Sequence, residues 1–149
     1  MRILIAYDGT PAADAAVREA LQRIWPAGTE VRLATVVEWP VALEPPFPVD
    51  YPGPAVEGVR AILISKAKKD QARAKEAFGG RTDLKVTTEL REGSAKHALL
   101  DVIEAWNPDL VITGSTGKTA LKRFFLGSVC HALVTNAPCS VLVVKPPAR

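Results

Sequence analysis

The chain of 149 residues has only two cysteines, Cys130 and Cys139, and two histidines, His97 and His131. Neither cysteine belongs to a CxxC pair. That excludes a disulfide framework and a cysteine-based zinc cluster, and it fits a reducing compartment. An excess of one charge is also missing. Lysine and arginine number 19 against 16 acidic residues, a formal balance of +3, too little to draw the chain to nucleic acid. Long apolar runs are absent as well. The run "ILIAY" behind Arg2 is too short for a membrane span or for the apolar core of a secretory signal. A cytoplasmic protein with neither a membrane nor a nucleic-acid partner is the expectation. What is left, 48% hydrophobic and 23% charged residues, is a globular composition. The length suits one domain, 1–149, with a core that needs no disulfide or metal.

Strand and helix patterns alternate along that domain. "RILIAYD" (Arg2–Asp8) reads as a buried first strand ended by Asp8-Gly9-Thr10-Pro11. Thr10 suits a helix N-cap and Pro11 its first position. Val17, Ala20, Leu21 and Ile24 then recur on one helical face until Pro26 and Gly28. Further strands are expected at Glu30–Val37, Leu84–Leu90, Asp109–Gly114 and Cys139–Val144. A helix follows Gly93-Ser94 with Ala95, Ala98, Leu99, Val102 and Ile103 inward. Another runs from about Lys118 to Asn136 with Leu121, Phe125, Val129 and Leu133 inward. Strands separated by helices mean a parallel α/β sheet with right-handed crossovers.

One segment breaks the alternation. "EWPVALEPPFPVDYPGP" (Glu38–Pro54) holds six of the twelve prolines and is neither a central strand nor a helix interior. It leaves the carboxyl end of the second strand, the edge where open α/β sheets bind ligands. It reads as a proline-stiffened surface connection or as a lid or partner-binding arm. A long helix from about Ala55 to Phe78 follows, with Lys66, Lys68, Lys69, Arg73 and Lys75 on its wet face.

The stretch "GSTGKT" resembles a Walker phosphate loop, but that motif needs a glycine where Ile112 stands. The glycines suggest a different phosphate site. Gly114 ends the fourth strand, Gly117 follows two residues later, and Gly127-Ser128 comes after nine more. Turns of this kind present backbone amides to phosphate, and Ser128 adds a hydroxyl. Asp8, at the same sheet edge, suits ribose hydroxyls.

The spacing Gly114, Gly117, Gly127, Ser128 resembles the Gly-x2-Gly-x9-Gly-Ser/Thr pattern of the nucleotide-binding members of the universal stress protein family. The resemblance extends to "ILIAYDGT", "REGSAKHALLDVIEAWNPDLVITGSTG" and "GSVCHALVTNAPCSVLVV", and covers nearly the whole chain. It implies five parallel strands in order 3-2-1-4-5 with helices on both faces, and a homodimer paired through the last strand. It also implies an adenine nucleotide as ligand, ATP above all, with or without magnesium. By position, Ala6 and Asp8 would lie near adenine and ribose, and the backbone of Val36 would meet the adenine. Thr113 and Gly114 would run along the nucleotide, and Thr116 and Gly117 would open the phosphate cradle. Gly127, Ser128, Val129 and Cys130 would close it. Thr116 stands where many relatives carry arginine or histidine, and Thr35 where histidine is common; Lys118 is a candidate replacement cation.

Three functional classes follow. The first is a nucleotide-binding regulatory module whose state an unidentified protein partner reads. The second is a dimeric stress-domain protein without nucleotide. The third is an enzyme with at most slow ATP hydrolysis. "DGTPAAD" is not the Ser-Gly-Gly-x-Asp-Ser loop that pyrophosphate-releasing relatives use. His97, His131, Trp25 and Trp106 read as surface or packing residues, and no catalytic or metal-ligating set is assigned.

Overall fold

The computed structural model describes residues 1–39, 53–115 and 126–147. Nine elements follow in chain order: β1 (Arg2–Ala6), α1 (Pro11–Gln22), β2 (Glu30–Val37), α2 (Pro54–Glu76), β3 (Lys85–Glu92), α3 (Ala95–Trp106), β4 (Leu110–Gly114), α4 (Ser128–Asn136) and β5 (Ser140–Val144). The strands form one parallel sheet in the order β3-β2-β1-β4-β5. This is the expected α/β architecture.

The sheet is apolar on both sides because helices cover both. On one face Ile3, Ile5, Val31, Leu33 and Ile112 pack against Ala13, Ala16, Val17 and Ala20 of α1 and against Ala74 and Phe78 at the end of α2. On the other, Leu4, Ala34 and Val111 pack against Leu99, Val102, Ile103 and Trp106 of α3 and Leu133 of α4. Central β1 therefore buries Ile3, Leu4 and Ile5 completely, which is why its sequence is a continuous apolar run instead of an alternating one.

Gln71 of α2 is buried and donates from Nε2 to the Leu33 carbonyl (3.3 Å) and the Glu89 carbonyl (2.7 Å), joining α2 to two adjacent strands. At its other half α2 meets β3 through Arg60, whose guanidinium forks onto Glu92 at 2.8 and 2.6 Å. On the opposite face of the sheet, Arg32 pairs with Glu89 at 2.8 Å and lies 4.2 Å from the Trp106 ring centre, a cation–π contact. Trp25 packs on the first core cluster and donates from Nε1 to the Ala20 carbonyl. Both tryptophans are thus packing residues, as expected.

Several boundaries differ from the sequence reading. β1 stops at Ala6, although the Tyr7 amide still donates to the Ala34 carbonyl. β3 runs on to Glu92, since Arg91 and Glu92 stay in register with Val36 and Val37. α1 ends at Gln22 because Arg23 turns extended (φ −86°, ψ 150°). Ile24 is therefore 97% exposed, and Trp25 takes the place expected of it in the core. The described part of the last helix begins at Ser128 with an extended Gly127 before it; Lys118, Leu121 and Phe125 lie outside the described residues, as does 40–52 of the proline-rich segment.

Gly114 fixes how closely α1 approaches β4. A Cβ there would overlap the Ala12 carbonyl and the Ala12 methyl. The obstacle is helix backbone, so a larger residue has to displace α1. Gly114→Ala is expected to lose about 1–3 kcal/mol of stability, read as a lower midpoint in urea denaturation followed by circular dichroism.

Candidate functional site

The carboxyl ends of β1, β2 and β4 open into one cleft of about 620 Å³. It lies where β1 meets β4, the switch point from which consecutive connections leave to opposite faces of the sheet. Of the eleven residues named from the sequence, nine line it: Ala6 and Asp8 from β1 and its turn, Val36 from β2, Thr113 and Gly114 from β4, and Gly127, Ser128, Val129 and Cys130 at the start of α4. Thr116 and Gly117 lie outside the described residues.

The turn after β1 is built by Asp8. Its Oδ1 accepts from the Thr10 amide at 3.0 Å and the Thr10 hydroxyl at 2.5 Å. Gly9 between them has φ +76°, a left-handed conformation that glycine adopts without strain. Thr10 Oγ1 accepts in turn from the Ala13 amide and caps α1. One acidic oxygen is thereby spent on the turn, and the other accepts no hydrogen bond among the described residues.

Besides the Thr10-capped start of α1, two helix N-termini face the cleft, and they differ. At α3 the Ala95 amide donates to Glu38 Oε1 at 2.8 Å, so a carboxylate from the end of β2 already occupies that positive end. At α4 the N-cap is Gly127, and among the described residues no side chain bonds the amides of the first turn. The amides of Ser128, Val129 and Cys130 lie where no carbonyl of their own helix reaches. Such an end offers several N–H groups and a favourable dipole to an anion.

α2 supplies the third wall through Leu63, Lys66, Ala67 and Asp70. Lys66 Nζ sits 2.6 Å from Asp70 Oδ2, and Asp70 lies against Gly9. Lys66 is the single cation among the described lining residues, against the carboxylates Asp8, Glu38 and Asp70. The basic run of α2 is exposed as expected, yet Lys66 and Arg73 also reach inward. Arg73 Nη2 donates to the Tyr7 hydroxyl at 3.0 Å, and that hydroxyl donates to Asp14 Oδ1 at 2.8 Å. Desolvation holds the Tyr7 phenol above its ordinary pKa, with Arg73 opposing and Asp14 adding to the shift. It stays a neutral donor that ties β1, α1 and α2 together behind the cleft. Burial also raises the Cys130 thiol, which makes it a poor nucleophile near neutral pH.

Tyr7, Glu38, Lys66 and Asp70 were not singled out for the site from sequence. Their partners are Asp14, Arg73, Ala95 and each other, and two of these pairs, Tyr7 with Arg73 and Glu38 with Ala95, are far apart along the chain. His97 and His131 are both exposed. Among the described residues no cluster of histidine, cysteine or acid suits a metal ion, and no helix is long and apolar enough to cross a membrane.

The sequence model of the universal stress protein family matches residues 1–145. The universal stress protein MJ0531 of Methanocaldococcus jannaschii is 29% identical over 148 residues, covering 99% of this chain and 84% of its own. Hypothetical protein MJ0577, of known structure, superposes with a TM-score of 0.83 at 24% identity, covering 99% of this chain and 97% of its own. A universal stress protein family member from Arabidopsis thaliana, solved with AMP bound, superposes with a TM-score of 0.65 at 18% identity, covering 99% of this chain and 93% of its own. On the family match and the shared fold, this chain belongs to the universal stress protein family.

Proposed function

We propose that the protein is an adenine-nucleotide-binding regulatory module. ATP is its principal ligand, with or without magnesium. The single observation that carries this reading is the convergence of Asp8, Val36, Gly114 and the start of α4 on one cleft. Each meets a different part of a nucleotide. The α4 amides and the Ser128 hydroxyl suit phosphate oxygens. The unspent oxygen of Asp8 suits ribose hydroxyls. The apolar side chains of Leu63 and Ala67 on α2 suit a flat base. A family member of the same fold holding AMP supports the choice of adenine. The described walls offer phosphate amides in preference to side-chain cations, and a magnesium ion carried by the nucleotide would offset the three carboxylates.

The same reading includes a homodimer and a cytoplasmic protein partner that responds to the nucleotide. β5 is the edge strand beside β4. Its Val141, Leu142 and Val144 touch the two core clusters, and among the described residues no strand pairs with its outer edge, which suits pairing with a second chain. A two-fold axis pairs such a strand with its own copy. Pro138 and Pro146 bracket the paired length, because proline gives no ladder donor.

Two outcomes are expected. Asp8→Ala weakens ATP and AMP by about 1.5–3 kcal/mol, and the parent protein prefers ATP to 2′-deoxy-ATP; calorimetric titration measures both. No binding of ATP or AMP by the folded parent protein would overturn the nucleotide reading. Light scattering at micromolar concentration gives a dimer for the parent chain, and Leu142→Pro yields monomer or unfolded protein. A monomeric parent would remove the strand pairing.

A further inference from the structure

Thr35 carries a buried side-chain oxygen with no hydrogen-bond partner among the described residues. The residue is 5% exposed and lines the cleft. The acids around it are engaged: Asp8 with Thr10, Glu38 with Ala95, Asp70 with Lys66. A buried hydroxyl without a partner is costly, and native structures normally pair it with protein, water or a ligand.

The direction of Thr35 follows from the pleat. Leu33 packs on the face covered by α1 and α2, and Ala34 on the face covered by α3 and α4. Thr35 therefore shares the side of Leu33 and faces the α2 wall. β4, β1 and β2 are successive neighbours in the sheet, and two steps of strand spacing come to about 10 Å. That matches the reach of a nucleoside monophosphate from phosphate to base. With phosphate at α4 and ribose at Asp8, the base lies over the end of β2, beside Thr35, Leu63 and Ala67.

Resting on the nucleotide reading above, we propose that the Thr35 hydroxyl reads the base: it accepts a hydrogen bond from the exocyclic amine of adenine. A turn about the Cα–Cβ bond to another staggered position moves the hydroxyl out of its covered place and leaves a methyl there. Leu63 and Ala67 offer the base no side-chain polar group, so Thr35 supplies a side-chain acceptor that stacking on those residues does not.

The experiment compares AMP with purine riboside 5′-monophosphate, which lacks the amine, by calorimetry on the parent, Thr35→Val and Thr35→Ser. An inosine nucleotide is not the right control, because a hydroxyl can turn and donate to its keto oxygen. The parent binds AMP roughly three- to tenfold more tightly than the amine-free analogue. Thr35→Val loses that factor for AMP and leaves the analogue unchanged, while Thr35→Ser behaves as the parent. Without ligand, Thr35→Val melts at or above the parent temperature, since it removes an unsatisfied group. Unchanged AMP affinity in Thr35→Val, equal weakening of both ligands, or equal affinity of the parent for the two would overturn the assignment to Thr35 alone. A parent that binds neither compound overturns the nucleotide reading and this inference with it.

Discussion

A parallel sheet permits its strands to be joined only by crossovers, and crossovers of one hand send successive helices to a face fixed by the direction in which the next strand is added. The order β3-β2-β1-β4-β5 adds strands first to one side of β1 and then to the other. α1 and α2 therefore pack on one face and α3 and α4 on the other. At the carboxyl ends of β1 and β4 the outgoing connections part to opposite faces, and a cleft is left there. Its position follows from topology before any side chain is considered. The side chains decide what it holds.

Those side chains divide the work by distance from the core. Behind the cleft, Tyr7 joins Asp14 and Arg73, and Gln71 joins β2 to β3. At its rim, Asp8 spends one oxygen on its own turn and Glu38 fills the start of α3, while among the described residues no side chain bonds the first turn of α4. The described lining is thus satisfied unevenly. One helix end is closed by a carboxylate of the protein, and the neighbouring one has no such partner among the described residues.

The strands were legible in the sequence because a strand covered on both faces is an unbroken apolar run, as "ILIA" and "LVIT" are. The Gly-x2-Gly-x9-Gly-Ser spacing was legible because glycine has few reasons to recur at fixed distances except close backbone approach, which Gly114 shows against Ala12. Helix ends were read less well. The periodicity of α1 continues into Ile24, but the backbone leaves the helix at Arg23, and only the competing claim of Trp25 on the core explains it. Least legible were the contacts between residues far apart in the chain, such as Arg73 with Tyr7 and Glu38 with Ala95. No local pattern marks them, since each partner alone reads as an ordinary surface charge. The solitary hydroxyl of Thr35 was also invisible, because a threonine in a strand is unremarkable until its neighbours are known.

The two halves of α2 are not held in the same way. The first half is tied to β3 by the charge pair of Arg60 with Glu92, while Lys66 with Asp70 is a pair within the helix itself. The second half has the Arg73 contacts to Asp14 and Tyr7 and adds the neutral amide of Gln71 and the buried Ala74. Dissolved ions weaken partly exposed charge pairs and leave neutral hydrogen bonds and apolar contacts largely untouched. Rising ionic strength thus acts on this helix unevenly: the pair that ties its first half to β3 weakens, while Gln71 and Ala74 keep the second half on the sheet.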